Sequence, residues 1–534
     1  MTPTPTSEQQ RAIDCIGNVV VTARPGSGKT FTLARMIACE SEGLLSYQGV
    51  IAISYTNKAS DELEDRCNKL GVEQKRSFFG TIDSFCLSQI VAPFVAHVIG
   101  RMVDLEPIED KSSDEWLSLK GREPDDPELR SFVMRSFATG VIPLGALGPA
   151  ALLILDEVPQ AEAFVKARYA SIFIDEYQDC GFYQHLLMKK MVSYGLRGIA
   201  VGDIDQAIFR FADKSPEYLS ELIKADDFNH FQITKNHRCD SSIQAYSLAL
   251  LGIQAPQIKR RDRRVFAIDM PGDESALAYW ISTTLEPIMR KYGVESNNRI
   301  AILGYGNSIL DTYSANINIP NKRFRDTPLD KGFTRWRRVL SELLVSYYDP
   351  SHFSGQFLDR RLGTETDQKK RNRGLELVNR FYSLPEDTLV QNVSVARNIA
   401  ELCEPQAERE GDIDAYLKTV EDSAKLHAGF RPAQQGEINI LTYHKAKGLE
   451  FDVVFCVETY EYVMPPYKYE EKDYDAYGQF LAMHYVGITR ARKVCYIMLG
   501  SKRHNAKGFL RDAVPSQYLN LPGLVDLRIN NHLH

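Results

Sequence analysis

Short apolar runs that end in polar turns recur along the chain and predict buried strands. The run Val19 to Thr22 leads into a glycine-rich turn, and "SIFI" (171–174) leads into "DEYQD". Similar runs, "VFAIDM" (265–270) and "RIAILGY" (299–305), appear in the second half of the chain. Such runs, rich in β-branched residues and bounded by turn residues, are typical of parallel strands covered on both faces.

Two Asp-Glu pairs follow apolar runs in this pattern, and only one of them is expected to be catalytic. Around Asp156-Glu157, the apolar residues recur at steps of three or four: Leu152, Leu155, Val158, Ala161 and Val165. This spacing favours a single amphipathic helix whose acidic residues are exposed. Pro159 fits near the end of a helix better than inside a sheet. Around Asp175-Glu176 the run is short and β-rich, as in a buried parallel strand.

The stretch "VVVTARPGSGKT" followed by "FTLARMIACE" predicts a strand, a phosphate-binding loop and a helix. Gly26 and Gly28 let backbone N–H groups converge on phosphate oxygens, Lys29 supplies charge, and the Thr30 hydroxyl can ligate Mg²⁺. Ala23 replaces the glycine of the strict pattern. The predicted loop comprises Ala23, Arg24, Pro25, Gly26, Ser27, Gly28, Lys29 and Thr30. The chain is therefore predicted to bind a nucleoside triphosphate.

The second acidic pair supplies the carboxylates that such a loop requires on a neighbouring strand. Asp175 at a strand end is predicted to hold Mg²⁺ through water. Glu176 is predicted to orient and deprotonate the attacking water.

Composition and charge narrow the class of protein further. The chain has 534 residues, 44% hydrophobic and 25% charged, which is typical of a folded protein with several domains. No run of about eighteen apolar residues is present, so no membrane-spanning helix is expected. Nine scattered cysteines predict reduced thiols in a cytoplasm and argue against a zinc or iron-sulfur site. The net charge of −6 argues against coating of nucleic acid by bulk charge, although a local basic groove stays possible.

Eight short motifs occur in an order that resembles superfamily 1A helicases of the UvrD/Rep/PcrA group. They span almost the whole chain: "ARPGSGKT", "ISYTNKASDEL" (53–63), "GTIDSF" (80–85), "IDEYQD" (174–179), "VGDIDQAIF" (201–209), "NHR" (236–238), "TYHKAKGLEF" (442–451) and "YVGITRA" (485–491). The resemblance implies an α/β fold with two RecA-like P-loop NTPase motor domains, ATP and Mg²⁺ as cofactors, and single-stranded or tailed DNA as substrate.

The resemblance also implies roles in the ATP site. Gln9 matches a glutamine that recognises adenine, and His237 stands where a tyrosine usually stacks on the base. Arg238 and Arg490 match arginines that approach the γ-phosphate, and Gln206 matches a glutamine that links this phosphate to the DNA side. Gly448 and Glu450 match a loop that contacts the ribose and DNA, whereas the adjacent Arg492 is interpreted as plain surface charge.

On the DNA side, the resemblance implies aromatic stacking and backbone contacts. Tyr55, Phe209 and Phe211 replace the usual aromatic residues, and Ala212 replaces an arginine. The remaining positions that match DNA contacts are Thr56, Asn57, Thr81, Asp83, Thr442 and His444, although a lone histidine is more often a structural hydrogen-bonding residue.

The predicted organisation has two motors, each interrupted by a reduced, mainly helical insertion. The first motor is expected at 1–95 and 166–262 around an insertion at 96–165. The second is expected at 263–325 and 429–534 around an insertion at 326–428. Within the latter, "RWRRVLSELLVSYY" (335–348) predicts an amphipathic helix, and the loop 458–477 is expected to be exposed and to form an interface.

The small insertions, "GTIDSF" and "DTPLD" (326–330) resemble one branch of the group, the helicase-like subunits of Gabija anti-phage defence. That branch implies a hetero-oligomer with an OLD-type nuclease that carries a TOPRIM domain (GajA-like). The leading hypothesis is an ATP-dependent, DNA-stimulated 3′–5′ translocase. Three alternatives stay open: a DNA-end-sensing NTPase with little unwinding, a non-enzymatic nucleotide-binding scaffold, and a general DNA-repair helicase.

Overall fold

Two parallel sheets form the centre of the molecule. The computed structural model describes residues 4–206, 215–331, 334–349, 353–362, 367–466, 474–505 and 507–533. Within these ranges the first sheet has six strands, in the order β3 (Phe78–Gly80), β2 (Gly49–Ile53), β6 (Tyr169–Ile174), β7 (Arg197–Gly202), β1 (Asn18–Ala23) and β8 (Phe228–Ile233). The second has seven strands, in the order β11 (Asn321–Arg323), β12 (Ile438–Thr442), β10 (Ile300–Gly304), β13 (Phe451–Cys456), β14 (Ala491–Gly500), β9 (Val265–Met270) and β17 (Ile529–His532). All pairings inside both sheets are parallel. The predicted α/β fold with two RecA-like motors is confirmed.

The first half of the chain contains eight strands between residues 18 and 233 in the described ranges. They are β1 (Asn18–Ala23), β2 (Gly49–Ile53), β3 (Phe78–Gly80), β4 (Glu106–Ile108), β5 (Val141–Pro143), β6 (Tyr169–Ile174), β7 (Arg197–Gly202) and β8 (Phe228–Ile233). The parallel pair β4 and β5 belongs to the first insertion and not to the central sheet.

Helices cover both faces of the first sheet and build most of its insertion. They are α1 (Ser7–Ile13), α2 (Lys29–Glu42), α3 (Asn57–Lys69), α4 (Ile82–Phe85), α5 (Ala92–Ile99), α6 (Asp114–Leu119), α7 (Pro127–Thr139), α8 (Leu147–Glu157), α9 (Pro159–Arg168), α10 (Phe182–Ser193), α11 (Glu217–Lys224) and α12 (Ser241–Leu250). A π-helical turn, Cys86–Val91, joins α4 to α5.

The second half repeats this plan. Its strands are β9 (Val265–Met270), β10 (Ile300–Gly304), β11 (Asn321–Arg323), β12 (Ile438–Thr442), β13 (Phe451–Cys456), β14 (Ala491–Gly500), β15 (Lys502–His504), β16 (Leu510–Asp512) and β17 (Ile529–His532). Its helices are α13 (Glu274–Tyr292), α14 (Asn307–Asn316), α15 (Arg335–Tyr348), α16 (Ser354–Leu362), α17 (Gln368–Tyr382), α18 (Val393–Cys403), α19 (Asp412–Val420), α20 (Ser423–Phe430), α21 (Tyr443–Ala446) and α22 (Tyr474–Thr489).

Alternation along the strands places side chains in separate cores on the two faces of each sheet. Val20 packs into a core shared with the first insertion, whereas Val19 and Val21 pack with α2 on the opposite face. On β10, Ala301 and Ile302 likewise enter different cores. The second insertion has a core of its own, built from α15 to α20.

The first Asp-Glu pair lies on a helix with both acids exposed, as expected, but the prediction of a single amphipathic helix is wrong. Two helices meet at Val158, because Pro159 occupies the first turn of α9. Almost every side chain of α8 is buried, so this helix is apolar all round and not on one face. Asp156 and Glu157 are exposed and pair with Lys190 and Arg130.

The loop 458–477 is largely buried where it is described, so its expected exposure is wrong for that part. Thr459, Tyr460 and Met464 are buried, although Tyr462 is half exposed. Residues 467–473 lie outside the described ranges, and α22 begins at Tyr474.

One helical run is long and apolar enough to cross a membrane, although no such segment was expected from the sequence. This run, Ile82–Ile99, consists of α4, the π-helical turn and α5. Six of its side chains are buried in the first core: Ile82, Phe85, Cys86, Ile90, Val91 and Val95. Packing against the first sheet and its insertion accounts for the apolar character of that side of the run.

Candidate nucleotide and nucleic-acid site

The phosphate-binding loop connects β1 directly to α2. Gly26 and Gly28 have φ values of +75° and +86°, a region that favours glycine. A Cβ atom on Gly26 would lie 2.5 Å from Arg238 Cβ, and one on Gly28 would lie 2.7 Å from Gln9 Nε2. Both glycines are therefore required by backbone conformation and by close packing. The N-terminus of α2, which begins at Lys29, favours an anion here.

The second acidic pair lies opposite this loop, at the carboxyl end of β6. Lys29 Nζ lies 3.7 Å from Glu176 Oε2. Glu176 has φ +52° and accepts a hydrogen bond from the Gln178 amide. This left-handed conformation turns the Glu176 side chain away from the strand direction and towards Lys29. The second acidic pair therefore faces the phosphate-binding loop, as expected from the sequence.

The two carboxyl groups differ in their electrostatic surroundings. Burial and the neighbouring Glu176 raise the pKa of Asp175. Burial opposes ionisation of Glu176 as well, but the Lys29 and Lys447 ammonium groups outweigh it and lower the pKa of Glu176. Glu176 is therefore ionised, as a water-activating group must be.

A divalent cation fits beside Asp175. The Asp175 carboxylate is buried beside Glu176, and a buried carboxylate is costly unless a cation compensates it. Thr30, the second residue of α2, lies next to Lys29, which itself contacts this acidic pair. A hydroxyl and a carboxylate are oxygen ligands of the kind that Mg²⁺ prefers.

The residues predicted for the adenine side are found next to the phosphate-binding loop. The Gln9 side chain is buried, and its Nε2 donates to the Ser27 carbonyl at 2.9 Å. Gln9 Oε1 accepts from Thr6 N at 2.8 Å, in a capping box at the start of α1. His237 N donates to the Gly26 carbonyl at 2.8 Å. In this arrangement, Gln9 and His237 hold the loop in place from two sides.

Gln206 and the two predicted arginines meet between the motors. Arg490, at the end of α22, is 2% exposed, and its Nη2 donates to Gln206 Oε1 at 3.2 Å. Burial and the nearby Arg238 lower the pKa of Arg490 to about 10, which leaves it charged at neutral pH. Arg238 pairs with Glu450 of the second motor, with Nε and Oε2 2.7 Å apart. The Arg490 guanidinium is close enough to Glu176 to help lower the pKa of that carboxyl group, and Arg238 belongs to a segment packed against Gly26 of the phosphate-binding loop.

Glu450 is held by arginines from both motors, which corrects the interpretation of Arg492. Arg492 Nη1 donates to Glu450 Oε1 at 2.7 Å, and Arg492 is also 3.8 Å from Asp452. Arg492 is therefore part of the ion-pair network at the cleft and not plain surface charge. Gly448, two residues before Glu450, has φ +85° and is exposed.

Lys447 is a functional candidate that sequence reasoning missed. Its ammonium donates to Asp179 Oδ2 and to the Gln206 carbonyl, the latter at 3.2 Å. Asp179 belongs to the first motor and Lys447 to the second. The signal available in the sequence was a lysine between two assigned positions, His444 and Glu450, but nothing in the sequence identified its partner.

The predicted DNA residues lie after strand ends at the carboxyl edges of both sheets. Tyr55 follows β2 and is 36% exposed. Thr56 and Thr81 begin helices α3 and α4, where their hydroxyls accept from Ala59 N and Ser84 N. Thr442 does the same for α21 in the second motor.

The structure describes the positions of only some of the remaining predicted DNA residues. Burial and the Asp179 and Asp83 carboxylates raise the pKa of the Tyr55 phenol, which places Asp83 near that ring. His444 lies on α21, with its ring 6.5 Å from Tyr305. Asn57 is the first residue of α3. Phe209, Phe211 and Ala212 lie outside the described residues.

Two protein families match the chain. A family described as "UvrD-like helicase C-terminal domain" matches residues 334–502, and one described as "AAA domain" matches residues 9–212. The first range includes Lys447 and Arg490, and the second includes the phosphate-binding loop and the second acidic pair.

Similar proteins include DNA helicases and a Gabija protein. The chain is 26% identical over 497 residues to Gabija protein GajB of Bacillus cereus strain VD045, which covers 92% of this chain and 94% of that protein. It is 21% identical over 648 residues to ATP-dependent DNA helicase UvrD1 of Mycobacterium leprae, covering 92% of this chain and 82% of that one. A match of 25% over 244 residues to ATP-dependent DNA helicase PcrA of Bacillus subtilis covers 38% of this chain and 33% of PcrA.

Proposed function

We propose, from the premise that the chain belongs to the UvrD-like helicases, that it couples ATP hydrolysis to 3′–5′ movement along single-stranded or tailed DNA. The observation that carries this proposal is the contact of Arg490 from one motor with Gln206 of the other, beside Lys29 and Glu176. Such a composite site can respond to closure of the cleft, because two chain segments complete it only when they approach each other.

Each side chain has a specific task in the proposed reaction. Lys29 and the N-terminus of α2 bind the β- and γ-phosphates. Glu176 orients the attacking water and accepts its proton, while Arg238 and Arg490 stabilise charge on the transferred phosphoryl group. Mg²⁺, held by Thr30 and Asp175, would supply electrostatic stabilisation of the phosphate oxygens.

Replacement of Lys29 tests the proposed hydrolysis. We expect Lys29→Ala to reduce DNA-stimulated phosphate release by about a hundredfold or more, because the loop loses its charge on the phosphates. Lys69→Ala, on the exposed end of α3, is the matched control and should retain the wild-type rate. Undiminished turnover by Lys29→Ala would show that ATP is hydrolysed elsewhere, and absence of any phosphate release by the wild type would favour the scaffold alternative.

We further propose that this NTPase acts in the cytoplasm as a subunit of a Gabija-type anti-phage complex with an OLD-family nuclease. Similarity to GajB along almost the full length of both chains supports this assignment. All nine cysteines lie among the described residues and are free thiols, which is consistent with a reducing compartment. Co-purification from the native host tests the partner: an associated nuclease supports the defence role, and a solitary chain supports the general repair alternative.

The second candidate function is a DNA-end-sensing NTPase that unwinds little. The small first insertion favours it: between α5 and β6 it comprises four helices and one short strand pair in the described residues. Strand displacement on a 3′-tailed duplex, measured together with ATP turnover on the same DNA, separates the two functions. Vigorous displacement supports translocation, whereas turnover without displacement supports sensing.

A further inference from the structure

Lys447 connects the two motors through charges that are shielded from solvent. It donates to Asp179 and to the Gln206 carbonyl of the first motor. The Lys447 side chain is 10% exposed and that of Asp179 is 1% exposed. Removing one member of a buried ion pair leaves the other charge without compensation. The pair therefore favours the arrangement in which α21 lies against the "DEYQD" turn.

On the first motor, Asp179 lies near both Glu176, the proposed water-activating residue, and Tyr55, a predicted DNA residue. Its backbone N–H donates to the Glu176 carbonyl at 2.9 Å, which closes the turn that carries Glu176. Its carboxylate is also close enough to the Tyr55 ring to raise the pKa of that phenol. Asp179 thus closes the turn that carries Glu176 and lies near the predicted stacking residue.

On the second motor, Lys447 follows a short helix that begins with a predicted DNA residue. Thr442 Oγ1 accepts from Lys445 N at 3.3 Å and so begins α21. Lys447 N donates to the His444 carbonyl, also at 3.3 Å, which ties Lys447 to the same turn. Thr442, His444 and Lys447 therefore share one helical turn.

We propose that Lys447 is a positioning residue through which DNA binding accelerates ATP hydrolysis. DNA held at Thr442 and His444 fixes α21, Lys447 then holds Asp179, and this contact fixes the turn that presents Glu176 to the attacking water. The inference deepens the proposed function and rests on it, because it assumes that DNA stimulates ATP hydrolysis.

Steady-state phosphate release tests this role, measured with and without a single-stranded thymidine oligonucleotide across a range of ATP concentrations. We expect Lys447→Met to reduce the DNA stimulation of kcat by about tenfold, with a change in KM for ATP of less than about twofold. Lys447→Arg, which keeps the charge, should restore most of the stimulation. Lys445→Met is the matched control, because Lys445 lies on the same turn but pairs with Asp326 of its own half of the chain.

A double-mutant cycle identifies the partner of Lys447. If the pair acts as a unit, Asp179→Asn should reproduce the loss, and the double variant should be no worse than either single one. Full DNA stimulation in Lys447→Met would overturn the proposal, and so would an equal loss of basal and stimulated turnover, since the missing Lys447 charge beside Glu176 or a purely structural role then explains the loss without coupling to DNA. A wild-type protein that hydrolyses ATP without any response to DNA would instead contradict the proposed function itself.

Discussion

At the residue scale, Glu458 shows how a buried carboxyl group creates a dependence of stability on pH. It lies after β13 with φ +63°, and its Oε2 accepts from Tyr305 N and Gly306 N, each at 2.7 Å. These contacts attach the loop after β13 to the start of α14. Burial raises the pKa of Glu458 from 4.5 to about 7 despite these two hydrogen bonds.

We predict that Glu458→Gln stabilises the protein at alkaline pH. The raised pKa means that the contribution of Glu458 to stability is fully present below about pH 4.5 and is lost as pH rises through about 7. A glutamine keeps an oxygen acceptor without the buried charge, so the thermal midpoint should rise at pH 8.5, by the equivalent of about 1–2 kcal/mol, and change little at pH 5. Thermal melting at pH 8.5 and pH 5 measures the shift of the midpoint, and Glu376→Gln, at an exposed position, is the control. A pH-independent effect would contradict the burial argument.

Sequence reasoning identified the chemistry of single residues better than their partners. Lys29 and Glu176 could be assigned because strand, loop and helix patterns fix which residues face the phosphates. Arg492 and Lys447 were missed because their partners, Glu450 and Asp179, are distant in sequence or belong to the other motor. Side-chain pairing across a cleft depends on the arrangement of the motors, which no local pattern encodes.

At the element scale, amphipathic periodicity was decisive where one face of a helix met a core. The helix predicted at 335–348 is α15, Arg335–Tyr348, with Trp336, Leu340 and Leu343 buried. The same reasoning failed at α8, because a helix buried all round has no polar face to mark its orientation. The chain breaks into two helices before Pro159, because proline has no backbone N–H to continue the preceding helix. The regular spacing of apolar residues across this point gave no sign of the break.

We predict that Leu343→Ala destabilises the second insertion without weakening nucleotide binding. Leu343 is fully buried in the core built from α15 to α20. Loss of its side chain should cost about 2–5 kcal/mol, because the cavity cannot close completely. Hydrogen exchange should increase in α15 to α19, while the affinity for a fluorescent ATP analogue stays at the wild-type value. Val345→Ala, an exposed position on the same helix, is the control, and an equal exchange increase in β1 would contradict a separate insertion core.

At the scale of the whole molecule, the order of the motifs allowed the two-motor architecture to be predicted. Both sheets are built from segments on either side of an insertion, and the strand ends collect the candidate site residues at one edge. The contacts between insertions and motors could not be predicted in this way. Arg409 of the second insertion pairs with Asp104 of the first, with Nη2 and Oδ2 2.6 Å apart, and Arg338 contacts Ser84 on α4.

These two contacts join the second insertion to the half of the molecule that contains the phosphate-binding loop. Exposed ion pairs contribute about 0–1 kcal/mol each, and Arg409 is only partly buried, so a single loss should have little effect. Arg338 is also partly exposed, and it contacts α4, the helix that the predicted DNA residue Thr81 caps. Together they restrict the position of the insertion relative to this DNA surface.

We predict that the double variant Arg338→Ala, Arg409→Ala lets the second insertion move away from the first half of the chain. Small-angle scattering should then show a larger radius of gyration. ATP turnover without DNA should stay within about twofold of wild type, because neither residue contacts the cleft. Strand displacement should fall more than turnover, since the insertion no longer holds a fixed position beside α4. Arg397→Ala, which breaks a pair with Glu408 inside the insertion, is the control. An unchanged radius of gyration in the double variant would show that other contacts fix the insertion.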